Sequence, residues 1–468
     1  MSKGASTPKK PRGQGKGAKG RQTNGKAASP ANGTTARANG ANGATPRPQP
    51  RQRPVLMRPR GSIVAAVDIG STKICCFIAR VESAGPRILG IGHQVSRGVR
   101  GGAIVDLDAA SEAIGNAVHD AEEMARETIE RVVVNLSDRS IGSRILRSQI
   151  DLGSREVSDA DMRHVLERGY QMREAGDRQV IHSIPVGFSI DDSRGISDPR
   201  GMAGERLGAN MHIVTASAAS VRNHAAAVGR THLAVDGLVV SPYAAGLACL
   251  VDDEIDLGVT VIDMGGGTTT LAVFSKGNLV FADSVPVGGA HVTNDIARGL
   301  STPVVHAERM KALFGSAISS TLDEREAIAV PQMGEEEDDA HVSHVPKSML
   351  VRIIAPRIEE TFEMVRNRLE ASGYDKVNVA GRQVVLTGGA CQLHGVRELA
   401  GLILDKQVRI GRPNRITGLA EATHGPAFSA AAGLLHFALS ERAETPRPPR
   451  PAAGGFLGRV SHWLRQNF

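Results

Sequence analysis

Two short segments of this 468-residue chain are near copies of one another, and no other feature restricts its fold as much. Val67–Lys73 reads VDIGSTK and Ile262–Thr270 reads IDMGGGTTT, with Asp68 and Asp263 separated by 195 positions. Each follows an apolar run and precedes another, Ile74–Ala79 and Leu271–Phe274, so each is expected to form a strand, a glycine turn and a second strand. Gly70, Gly265, Gly266 and Gly267 would let backbone N–H groups approach phosphate oxygens. Ser71, Thr72, Thr268 and Thr269 would add hydroxyl donors beside those amides. Asp68 and Asp263 suit Mg²⁺, an ion that keeps several waters and needs few protein carboxylates. One such hairpin is an ordinary turn; two at equivalent points of two half-chains are far more specific.

Val384–Ala390, VVLTGGA, reads as a buried strand ending in Gly388–Gly389, with a helix following from about Gly395. A Gly-Gly turn beside a helix N-terminus suits a nucleoside and its α-phosphate. Upstream, Gly288–Gly289 lead into a helical run, and Glu308 and Lys311 lie at i, i+3 on one helix face. That pair could reach a ribose and base, although a surface Glu–Lys pair needs no ligand to explain it.

Around these motifs the chain alternates. Ile63–Val67, Val132–Leu136, Val259–Ile262 and Val384–Leu386 are predicted strands. Ala109–Arg126, Ala160–Arg173, Ser348–Ala371 and Gly395–Leu404 are predicted helices, the second opened by a capping box of Ser158 and Asp161. Such alternation predicts an α/β fold. The acidic run Glu335–Asp339 reads as a solvated loop, with docking of a basic partner as its alternative.

Charge is segregated. Residues 1–60 hold 14 Lys and Arg and no Asp or Glu, within a total net charge of +7. Residues 61–440 carry about −10, so a specific nucleic-acid-binding core is disfavoured. The basic tail offers almost nothing to bury and is expected to be disordered. It would serve as an entropic tail or as a salt-sensitive contact with acidic lipids or nucleic acid. No window reaches 18 consecutive apolar residues, and no apolar run follows the basic start, so neither a spanning helix nor a signal peptide is expected. Cys75, Cys76, Cys249 and Cys391 show no CxxC spacing and read as reduced, buried side chains.

The two hairpins and the LTGGA segment resemble those of the actin/Hsp70/sugar-kinase ATP-binding superfamily. Within it, SRGVRGGAIVD (96–106), QVRIGRPNRITG (407–418) and the terminal SHWLRQNF are similar to the FtsA family of actin-like division proteins. The resemblance implies an α/β, actin-like two-lobed ATPase fold with a 1C subdomain in place of actin 1B. It divides the chain into a disordered tail at 1–60, subdomain 1A at 61–97, 179–211 and 411–440, and 1C at 98–178. Subdomain 2A would take 212–247 and 321–410, and 2B would take 248–320. A Pro-rich linker at 441–454 and a membrane-targeting helix at 455–468 complete the division.

The same resemblance implies ATP and Mg²⁺ as ligands and self-association into a polymer. It implies binding of the FtsZ C-terminal peptide through 2B and of later division proteins through 1C, at the cytoplasmic face of the cell inner membrane at the septum. Phosphate contacts would fall on Asp68, Gly70, Ser71, Thr72, Asp263, Gly265, Gly266, Gly267 and Thr268, with Asp68 and Asp263 toward the metal. Nucleoside contacts would fall on Glu308, Lys311, Gly388, Gly389 and Ala390. One departure matters: Ser241-Pro-Tyr-Ala-Ala245 begins with Ser where hydrolysing superfamily members place a Glu or Gln that orients water. A hydroxyl positions water weakly, so slow or absent hydrolysis is expected, and no catalytic residue is assigned. A carbohydrate kinase would need a carboxylate base, and none beyond Asp68 and Asp263 is tied to the cleft. The terminal helix and the 96–106 stretch favour the FtsA family over a pilus-assembly adaptor of the same type.

That terminal segment, GFLGRVSHWLRQNF, holds the only Trp of the chain. At about 100° per residue, Phe456, Leu457, Val460, Trp463, Leu464 and Phe468 fall within an arc of roughly 140°. Fourteen residues rise about 21 Å, too short to cross a membrane, so the helix would lie in the lipid interface.

Overall fold

The computed structural model describes residues 58–171, 176–333, 343–375 and 381–439. The basic tail to residue 57, the acidic run 335–339, the Pro-rich segment 441–454 and the terminal segment 455–468 lie outside the described residues.

Apolar alternation to both faces makes the first strands central ones. β1 (Ile63–Ile69), β2 (Lys73–Glu82) and β3 (Gly85–Val95) form an antiparallel meander. A two-residue ladder, β4 (Val99–Arg100) with β5 (Ala103–Ile104), leads to α1 (Leu107–Ala125). Asp106 caps that helix by accepting from the amides of Asp108 and Ala109. β6 (Arg131–Leu136) then returns parallel to β1. Ala65, Val67 and Ile69 bury one face of β1 with α1, while Val64 and Ala66 face the opposite core.

The chain next leaves this sheet. β7 (Gly142–Glu156), α2 (Asp159–Gln171), β8 (Arg178–Ile190), β9 (Ser193–Ile196) and β10 (Ala203–Ser217) build a separate antiparallel sheet ordered β7-β10-β8-β9. Ser158 Oγ accepts from the Asp161 amide, and Asp161 Oδ2 accepts from the Ser158 amide at 2.9 Å, so the predicted capping box is present. Met162 and Val165 of α2 pack on Leu207 and Met211 of β10. After α3 (Ala218–Gly229), β11 (Ala234–Val240) rejoins the first sheet beside β6, giving the order β11-β6-β1-β2-β3.

The second half repeats the opening meander. α4 (Ser241–Cys249) and α5 (Asp252–Leu257) lead to β12 (Val259–Met264), β13 (Thr269–Ser275) and β14 (Asn278–Val285). There follow α6 (Gly289–Gly299), α7 (Val304–Phe314), the hairpin β15 (Ala327–Val330) with β16 (Ser343–Pro346), and α8 (Lys347–Ser372). β17 (Gln383–Thr387), α9 (Val396–Leu404) and β18 (Gln407–Ile410) complete a sheet ordered β14-β13-β12-β17-β18. α10 (Ser429–Leu439) comes last.

Two helices separate the two five-stranded sheets. α4 and α10 share one apolar core with Phe77 of β2, Val261 of β12 and Phe274 of β13. They approach closely because small residues meet: a Cβ on Gly433 would stand 1.7 Å from the Ala244 carbonyl oxygen. Gly433 is therefore a packing requirement of this layer. α6, α7, α8 and α9 cover the other face of the second sheet.

Sheet membership departs from the expected boundaries. The 98–178 unit would contain β6, a strand of the first sheet, and α1, which packs on that sheet, while the separate sheet spans 142–217. Residues 179–211, expected in 1A, supply β8, β9 and most of β10 of that separate sheet. β11, expected in 2A, pairs with β6 in the first sheet. β12, β13 and β14, expected in 2B, share a sheet with β17 and β18. Periodicity reveals an element but not its neighbour, because hydrogen-bond partners lie far away in sequence.

Candidate functional site

The two glycine turns meet. The β1–β2 and β12–β13 hairpins are antiparallel pairs, and each turn closes through a matching bond: Gly70 N to Lys73 O and Gly265 N to Thr268 O, both 3.0 Å. A Cβ on Gly266 would stand 1.9 Å from Thr72 Oγ1, and one on Gly267 would stand 2.5 Å from Ser71 Oγ. Only glycine lets the lobes come this close. Thr268 Oγ1 donates to Ser137 O at 2.8 Å and so binds across the junction, whereas Ser71 Oγ accepts from Gly102 N at 2.9 Å within the first lobe. Thr269 is different: its hydroxyl donates to Val287 O within its own lobe, which makes it a structural residue here.

A buried charged group lies at the base of the turns. Asp68 is 7% exposed. Burial pushes the Asp263 carboxyl up to about 7, with Asp68 adding to the rise and Lys73 opposing it. Burial also raises Asp68, against the pull of Lys73. The Lys73 ammonium is lowered by its own burial, against Asp68, Cys75 and Asp263. It donates to Ala427 O at 2.5 Å and sits 3.3 Å from the centre of the Phe428 ring. Two carboxylates near enough that Asp68 disfavours the ionisation of Asp263 fit a hydrated divalent cation, whose charge would offset theirs. Among the described residues no group of three or more His, Cys, Asp or Glu is placed to hold a metal, so a cation here would retain much of its water.

The nucleoside candidates also converge. Gly388 has φ +85°, and a Cβ there would stand 2.4 Å from Asp263 Oδ1, so this position needs glycine on both counts. A Cβ on Gly289 would stand 3.1 Å from that of Ala390 and 3.7 Å from Lys311 Nζ. Lys311 donates to Glu308 Oε2 at 2.7 Å, to Thr293 Oγ1 at 2.8 Å and to Gly289 O at 3.1 Å. The Glu308–Lys311 pair thus borders the Gly388–Ala390 segment instead of standing alone on the surface.

Sequence reasoning missed two residues. Lys73 was part of the motif but carried no role, and its seat against Ala427 and Phe428 depends on a segment 354 positions away. Asn135 was unmarked, though its polarity within the apolar VVVNL run was a signal. Its side chain donates to Asp68 Oδ1 at 2.6 Å and to Ser241 Oγ at 3.1 Å, which ties the Ser241 position to the carboxylate cluster.

Two sheets flanking two central helices, each sheet opening with a hairpin whose glycine turn meets the other, define an actin-like fold. The structure of a PilM–PilN type IV pilus biogenesis complex shares this fold, with a TM-score of 0.58 at 16% identity, covering 81% of this chain and 98% of that one. The family model for cell division protein FtsA matches residues 260–433, and that for the SHS2 domain inserted in FtsA matches residues 138–215. Cell division protein FtsA of Rhizobium meliloti (strain 1021) is 44% identical over 439 residues, covering 90% of this chain and 98% of the relative. That of Escherichia coli (strain K12) is 32% identical over 422 residues, covering 87% and 98%. The chain belongs to the FtsA family of cell division proteins. No helix among the described residues is long and apolar enough to cross a membrane.

Proposed function

We propose that this chain binds Mg²⁺-ATP between its glycine hairpins and, as a membrane-tethered polymer, anchors the FtsZ ring at the division septum. The observation that carries the nucleotide part is the direct approach of Gly266 to Thr72 beside the carboxylates of buried Asp68 and half-buried Asp263. Gly70, Ser71, Thr72, Gly265, Gly266, Gly267 and Thr268 would hold the phosphates, and Lys73 would add a positive charge beside them. Glu308, Lys311, Gly388, Gly389 and Ala390 would hold the nucleoside. Mg²⁺, when bound through Asp68 and Asp263, would neutralise phosphate charge. Ser241 is buried and receives a hydrogen bond from Asn135, with no carboxylate in its place, which supports slow hydrolysis.

Membrane attachment rests on the apolar arc Phe456, Leu457, Val460, Trp463, Leu464 and Phe468. FtsZ binding through the second lobe is supported by Val304, Val305 and Leu313, apolar side chains left exposed on α7. The separate 142–217 sheet is the candidate surface for self-association and for later division proteins. The test is co-sedimentation of the full chain and FtsZ with anionic vesicles and Mg²⁺-ATP. FtsZ should pellet only when this chain is present, and Trp463→Glu should release both while leaving nucleotide binding unchanged. Pelleting of the Trp463→Glu protein at physiological salt would overturn the anchor.

A further inference from the structure

Asn135 is a buried amide on a strand whose neighbours Val133, Val134 and Leu136 are all core residues. Its Oδ1 accepts from the Ile69 amide at 2.6 Å, at the end of β1. Its Nδ2 donates to Asp68 Oδ1 at 2.6 Å and to Ser241 Oγ at 3.1 Å, at the start of α4. One side chain thus joins the phosphate-turn strand, the carboxylate and the first residue of the central helix. The amide has a single usable orientation. Turned over, its oxygen would face the carboxylate oxygen and its NH₂ would face the Ile69 N–H, which mismatches both.

We propose that Asn135 is a positioning residue for the divalent cation, fixing the carboxylate plane of Asp68 and thereby setting the Mg²⁺ requirement of nucleotide binding. This inference rests on the nucleotide reading above. The bond from Asn135 Nδ2 is a direct side-chain restraint on the rotation of the Asp68 carboxylate. With Oδ1 engaged by the amide, Oδ2 is the oxygen that this bond leaves for a cation's water shell in the proposed arrangement. Partners that orient a ligating carboxylate in this way characteristically govern metal affinity while touching no metal.

The experiment is titration of Mg²⁺ into the full chain with a fluorescent ATP analogue, for the wild type, Asn135→Ala and Asn135→Leu. The leucine fills the volume that alanine empties, and thermal melting identifies the folded variant. The Mg²⁺ concentration for half-maximal binding should rise roughly tenfold or more. Affinity at saturating Mg²⁺ should return to near the wild-type value. A folded variant with an unchanged Mg²⁺ requirement overturns the inference, since a merely structural role would change melting alone. In the wild type, peptides spanning Ile69 and Asn135 should gain more hydrogen-exchange protection from Mg²⁺-ATP than from metal-free ATP. Equal protection overturns the inference as well. Wild-type protein that binds no analogue at any Mg²⁺ concentration overturns the nucleotide reading and this inference together.

Discussion

Asp263 is a carboxyl held at a disadvantage by its own fold. Its pKa, raised to about 7, means that the folded chain keeps a proton that the unfolded chain releases near pH 4. Its contribution to stability is therefore complete below about pH 4 and is lost as pH rises through about 7. Asp263→Asn should remove that loss, about 4 kcal/mol for a carboxyl raised from about 4 to about 7, and raise the nucleotide-free melting temperature at pH 8 by roughly ten degrees. It should also abolish the further rise given by Mg²⁺-ATP; a variant that kept that rise would remove Asp263 from the metal site. His212 behaves in the opposite sense. Burial pushes its imidazole down to about 3, with His182 acting in the same direction, so stability falls as pH drops from about 6.5. His212→Gln should reduce the stability lost between pH 7 and pH 5 by about 2 kcal/mol, read by denaturant melts at each pH. Identical acid limbs in the two proteins would refute this. Asp68, Asp263 and the turn glycines were legible because their chemistry is local. Asn135 was not, since its role exists only once β6 lies beside β1.

At the scale of elements, the separate sheet has a clean junction. Gly142 and Thr215 are partners across the β7–β10 ladder, so the chain enters and leaves the separate sheet at adjacent points. Replacing residues 143–214 with a two-residue Asn-Gly turn should leave a folded protein whose ATP affinity lies within a few-fold of wild type. Excising 98–178 should instead abolish folding, because the first sheet loses strand β6 and the helix α1 that covers it. Circular dichroism and nucleotide titration of both deletions check this, and a folded 98–178 deletion would contradict the sheet assignment. Strands and helices were readable from their periods of two and 3.6, and the two hairpins from their glycines. Their grouping into sheets was not. β6 and β11 are adjacent in the first sheet although the whole insert separates them in sequence.

For the whole molecule, the layer between the sheets governs more than shape. α10 comes from the far end of the described chain, yet it packs against α4 and shares a core with β1 and β2. During synthesis the apolar residues Val64, Ala66 and Phe77 therefore emerge early and wait for some 350 residues for their covering helix. A fold dominated by such non-local closure assembles slowly and exposes aggregation-prone surface in the interval. A chain ending at residue 425 should consequently remain protease-sensitive throughout, in its first sheet as well as at its cut end. The first lobe is made before the second, but its folding can finish only after the second has been made.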